Sequence, residues 1–158
     1  MEKLDRIKSP IFLKTALYCS SAERCKSEVI ERLKKETNSL DEIEEIVAIL
    51  EEEGYINELR YAISYVRDKF RFNKWGKIKI SYMLQCKKIP SSIITEALAE
   101  IDDDTYLETL TALVLSKSKS IKSTNPSDKK AKIYRFAASR GFESESIRQA
   151  LIQCRVDK

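Results

Sequence analysis

An all-α chain, an elongated array of three tandem three-helix repeats, is the fold class that these 158 residues predict, on three observations. Only three Gly and three Pro punctuate the chain, too few for the tight turns of an all-β fold. Its apolar residues recur mostly with the 3.6-residue period of a helix. Charged residues make up 34%, above the roughly 25% of an average globular chain, which suits a surface-rich helical protein.

The periodicity predicts nine helices, at roughly 10–20, 23–36, 40–53, 57–74, 77–88, 90–101, 104–121, 126–140 and 143–155. Ser9 before Pro10, Asn57 after the Gly54-Tyr55-Ile56 break, Asp104, and Asn125 before Pro126 are the expected caps, because short polar side chains accept the unpaired amides of a first turn. One segment conflicts. KIKISYM (77–83) alternates like a strand and is rich in residues that favour strands, but its neighbours and the repeat require a helix there.

Ser9, Asn57 and Asp104 stand 48 and 47 residues apart. The apolar triplets Ile46/Ile49/Leu50, Ile94/Ala97/Leu98 and Ile147/Ala150/Leu151 recur at 48 and 53 residues, and Ile89 aligns with Phe142 ahead of the last two. A period near 50 residues implies tandem units too small to bury their own apolar faces, stacked side by side. The expected units are 1–54, 55–102 and 103–158. Arrays of this kind offer a macromolecule an extended surface.

Several function classes lose support. There is no histidine, so the commonest general base and zinc ligand is missing. Gly54, Gly76 and Gly141 lie too far apart to form a phosphate-cradling loop. Cys19, Cys25, Cys86 and Cys154 show no metal or disulfide spacing and are expected as free thiols packed as small hydrophobes. Asp102 to Asp104 could hold a hard cation, but their place before an apolar run favours helix capping. With no signal-peptide core and no run of about 18 apolar residues, a cytoplasmic location is expected.

Charge is banded. Glu36 to Glu58 holds nine acids and no base; Arg67 to Lys88 holds eight bases against Asp68 alone; Lys117 to Arg135 holds seven bases against Asp128. The acidic band is either the solvated face of an amphipathic helix or a surface that steers a basic partner. On a helix from Asn57, Arg60, Arg67, Arg71 and Lys74 fall within about 60° of one another, and Trp75, Lys77 and Lys79 extend the stripe. Such a stripe can pair with phosphates beside stacked bases, meet an acidic protein groove, or merely cover the core edge with long stems. Lys129, Lys130, Lys132 and Arg135 form a weaker second patch.

The stretch GYINELRYAISYVRDKF resembles the Gly-Tyr-Leu-Asp-Asp-x-Arg-Phe-Ala-x-x-Tyr-Val-Arg signature of the RecX family, bacterial regulators of the RecA recombinase. Gly54, Tyr55, Asn57, Arg60, Tyr61, Ala62, Tyr65, Val66 and Arg67 carry the match. Gly76, Ile80 and Leu84 fit the following helix; RFAASRGFESESIRQAL is similar to the family's ending through Phe136, Arg140, Gly141, Phe142, Ile147, Ala150 and Leu151; Glu28 and Leu33 fit an upstream segment. Departures are Cys25 for a hydroxyl, Val29 for Leu, Met83 where the family often has Glu, and Lys88 for Gly before Ile89.

The resemblance implies a curved array of three three-helix repeats without catalytic activity or cofactor. It implies binding to the RecA filament, with DNA contacted directly or through the filament; the banded charge is compatible with a monomer. The family members lodge in the filament groove and inhibit recombinase and coprotease functions. The contact candidates are then Arg60, Arg67, Arg71, Lys74, Trp75, Lys77 and Lys79, with Lys129, Lys130, Lys132 and Arg135. An autonomous DNA-binding protein and a helical scaffold for another protein are the alternatives.

Overall fold

A computed structural model describes residues 2–154. Among them all regular structure is helical, in the order α1 (Lys3–Ile7), α2 (Pro10–Ser21), α3 (Lys26–Lys34), α4 (Leu40–Glu52), α5 (Glu58–Asn73), α6 (Lys77–Cys86), α7 (Ser91–Leu98), α8 (Asp103–Ser120), α9 (Pro126–Ser139) and α10 (Ser144–Gln153). Nine match the expected helices, and α1 is an addition. The expected end of the last helix, at 155, lies outside the described residues.

Two compact units divide the chain: one takes the residues up to Ser64 with Leu84–Ile94, the other Tyr65–Met83 and the chain from Thr95 onward. The first unit is centred on Phe12, Val29, Leu33, Ile46 and Leu50. Two of its joints involve polar groups. Cys25 stands at the start of α3 without capping it, its thiol donating to Glu28 Oε1 at 3.2 Å, and the carboxylate of Glu58 on α5 accepts the Lys26 amide instead, at 2.8 Å. On α4, Ile43, Ile46, Val47 and Leu50 face inward, while the acids on the other side meet α1. Arg6 is buried against Glu42 and Glu45 at 3.0 and 3.3 Å, and Lys3 lies 3.1 and 2.7 Å from Glu52 and Glu53.

In the second unit an aromatic column packs α5, α8 and the start of α10, with ring centroids 5.7 Å apart for Phe70 and Tyr106 and 5.2 Å for Tyr106 and Phe142. The Tyr106 hydroxyl donates to Glu143 and accepts the Lys77 amide. Burial, helped by that bond to Glu143, pushes its phenol far above the ordinary value, so it stays a neutral donor.

The strand-like segment is helical. Ile80 and Leu84, four apart, are buried, whereas Ile78 and Tyr82 are exposed; a strand would have put Ile78, Ile80 and Tyr82 on one face. Three caps stand as expected in position, with differences in chemistry. Asn57 accepts the Arg60 amide at 2.8 Å, and Asn125 those of Ser127 and Asp128 at 2.9 and 3.3 Å. Ser9 flanks α2 but turns its hydroxyl back to the Arg6 carbonyl, 2.6 Å away, because α1 ends there. Asp102, not Asp104, caps α8 through the Thr105 amide at 3.0 Å; Asp104 lies inside the first turn. Eight of the nine triplet residues are buried and Leu98 is half-buried. The cysteines are free, but Cys86 is exposed.

Candidate functional site

The ends of α5 and α9 meet at a corner of the second unit, and glycine makes the approach close enough. A Cβ on Gly76 would fall 2.3 Å from the Gly141 carbonyl oxygen, and one on Gly141 2.3 Å from Lys79 Cβ. Main-chain bonds close the joint: the Gly76 amide donates to the Arg140 carbonyl at 2.7 Å and the Ile78 amide to the Gly141 carbonyl at 3.0 Å. Arg140 adds a guanidinium bond to the Asn73 carbonyl at 3.2 Å. Gly141 has a φ of +92°, a left-handed conformation that glycine adopts without strain.

Around this joint cations sit on aromatic faces. Lys69 and Lys79 Nζ lie 5.0 and 4.5 Å from the Trp75 ring centroid. Lys117 Nζ and Arg140 Cζ lie 4.9 and 5.3 Å from that of Phe136. These contacts are favourable and restrain side chains that would otherwise roam. Lys69, Arg71 and Lys79 form no ion pair with a carboxylate of the described residues. Exposed Phe72, Ile78 and Tyr82 belong to the same segment. The corner is therefore a pre-arranged cationic surface with apolar side chains, able to receive phosphates or carboxylates.

The predicted stripe is used unevenly. Arg60 is held by Glu23 at 2.6 Å and by the Gly54 carbonyl at 3.0 Å, and Arg67 by Glu100 at 3.3 Å. Arg71 lies over Phe72, 5.4 Å from its centroid. Lys74 follows α5 with a φ of 56° and folds its ammonium back to the Arg71 carbonyl, 2.7 Å away. Lys77 turns to the Tyr106 ring, 4.7 Å off, and to Asp103 at 3.7 Å. Trp75 and Lys79 are the stripe members gathered at the joint.

In the second patch Lys132 pairs with Asp128 at 3.1 Å. That hydrogen bond and one from Ser123 hold the Asp128 carboxyl below its ordinary value. Lys130 and Arg135 are exposed and Lys129 half-buried. The corner also gathers Lys69, Lys117 and Arg140, which are not among the contact candidates read from the sequence. Lys69 lies within the basic band but off the stripe by helical angle, Lys117 opens the second basic band, and Arg140 belongs to the family-like ending; only the joint places them together.

Comparison with known proteins identifies the family. Residues 57–98 match the second three-helix domain of RecX and residues 104–151 the third. The regulatory protein RecX of Bacillus mycoides is 29% identical over 147 residues, 93% of this chain and 54% of that protein. This chain thus spans about half the length of such Bacillus relatives. RecX of Prosthecochloris aestuarii is 30% identical over 134 residues, 85% of this chain and 86% of the relative, and that of Chlorobium phaeobacteroides 32% identical over 131, 83% and 84%. The crystal structure of RecX from Lactobacillus salivarius superposes with a TM-score of 0.88 at 25% identity, covering 97% of this chain and 99% of that one. With two successive three-helix domains matched and relatives aligned over most of both chains, the chain belongs to the RecX family of regulatory proteins.

Proposed function

We propose that this protein is a non-enzymatic negative regulator of RecA that occupies the groove of the RecA filament on DNA and so blocks recombinase and coprotease activity. The observation that carries the reading is the corner at which Trp75 and Phe136 each hold two cations, in a chain of this family. A cationic, partly apolar surface needs no cofactor to obstruct a polyanionic assembly. The working residues are Lys69, Trp75, Lys79, Lys117 and Arg140. In this reading the chain acts as a monomer of three repeats, 1–54, 55–102 and 103–158.

Autonomous DNA binding is the second reading, favoured by the exposure of Phe72 and Tyr82, 71% and 62%, since aromatic faces stack on unpaired bases. Binding to bare single-stranded DNA, to free RecA and to the assembled filament separates the two. Regulation by groove occupancy requires a clear preference for the filament over either component; equal affinity for bare DNA and filament would reject it.

A further inference from the structure

The part of the acidic band that carries Glu42, Glu45, Glu52 and Glu53 is met inside the chain by one short helix, while Glu51 pairs with Lys26 of α3 at 3.0 Å. Arg6 bonds Glu42 and Glu45, and Lys3 bonds Glu52 and Glu53, so α1 lies antiparallel to α4. The Arg6 side chain is only 6% exposed, and its Nε is buried without an acceptor among the described residues. An arginine driven this deep toward a row of carboxylates shows that the face accepts a guanidinium. The helix that supplies it is weakly made: five residues, no side-chain cap at its start, and Leu4 left 69% exposed. Five residues form no stable helix alone. Ile7, packed on the core, and the ion pairs hold it in place.

We propose that the acidic face of α4 is a docking site for a short basic helical segment of a partner protein, and that α1 is its intramolecular occupant, displaced when that segment binds. Charge complementarity identifies the occupant: cations three residues apart, spaced as Lys3 and Arg6 are, reaching carboxylates near the two ends of α4. This surface is separate from the cationic corner, and its test is independent of RecA.

The probe is a fluorescein-labelled alanine-rich helical peptide with lysine or arginine at every third position, titrated at low salt into the full chain and into Lys3→Gln/Arg6→Gln. The double variant is expected to bind at least about fivefold tighter than wild type, and Glu42→Gln/Glu45→Gln added to it should abolish that gain. No gain in a folded variant, or a gain that survives the added changes, overturns the proposal. A concentration-dependent dimer in wild type that the double variant lacks would also overturn it, by assigning the face to a second copy's α1. Should the variant not fold, amide exchange on the wild-type chain decides: raising salt from about 0.05 to about 0.5 M must speed exchange of the Arg6 amide, bonded to the Glu2 carbonyl, several-fold while α4 stays protected. Unchanged exchange there would reject a displaceable α1.

Discussion

Gly76 and Gly141 approach so closely that neither has room for a methyl group. Gly76→Ala is expected to destabilise the protein by about 2–3 kcal/mol, read from the denaturation midpoint, because the obstacle is backbone and not a side chain that can swing away. Lys88 presents the reverse case. It occupies a left-handed position, φ 62°, where the resemblance placed glycine, and Lys88→Gly should raise stability by about 0.5–1 kcal/mol. The sequence showed that Lys88 was unusual before Ile89, since the aligned pair is Gly141-Phe142. It did not show that Gly76 and Gly141 touch, because 65 residues separate them and nothing local encodes the contact.

Helices were legible wherever apolar spacing and caps agreed, as in α5 and α9. They were ambiguous where they disagreed, as in α6, whose alternation reflects an exposed Ile78 and Tyr82 and a buried Ile80. The helix α1 was illegible because its inward residues are an arginine and one half-buried isoleucine, which give no apolar stripe. Two carboxylates at helix starts should answer pH oppositely. Bonds from the Thr105 amide and hydroxyl hold the Asp102 carboxyl below its ordinary value. Its contribution is complete above the unfolded value of about 4 and is lost as pH falls through the lower folded one. The stability advantage of wild type over Asp102→Asn should therefore shrink on acidification. Burial pushes Glu58 up, against the Lys26 amide that pulls it down, so folding takes up a proton between the unfolded and folded values. Wild type should gain on Glu58→Gln as pH falls through that window. Thermal melts of the three proteins from neutral to acid pH check both signs.

At the scale of the molecule, charge banding was plain in the sequence, but the partners of those charges were not. Lys3 and Arg6 of α1 pair with Glu42, Glu45, Glu52 and Glu53 of the acidic band, Arg60 and Arg67 are held by carboxylates, and Lys77 is drawn against Tyr106. The cationic corner is built from three stretches far apart in the chain, around Trp75, Lys117 and Phe136, so helical angle on one helix pointed to the stripe and could not show the corner. In the proposed function this corner, and not the basic start of α9, engages the RecA filament. Affinity of Lys69→Gln/Lys79→Gln/Arg140→Gln for RecA assembled on single-stranded DNA, beside that of Lys129→Gln/Lys132→Gln, tests it most directly. Engagement through the corner requires a loss of about tenfold or more for the first variant and no more than about twofold for the second; equal losses, or a corner variant that binds like wild type, would rule it out.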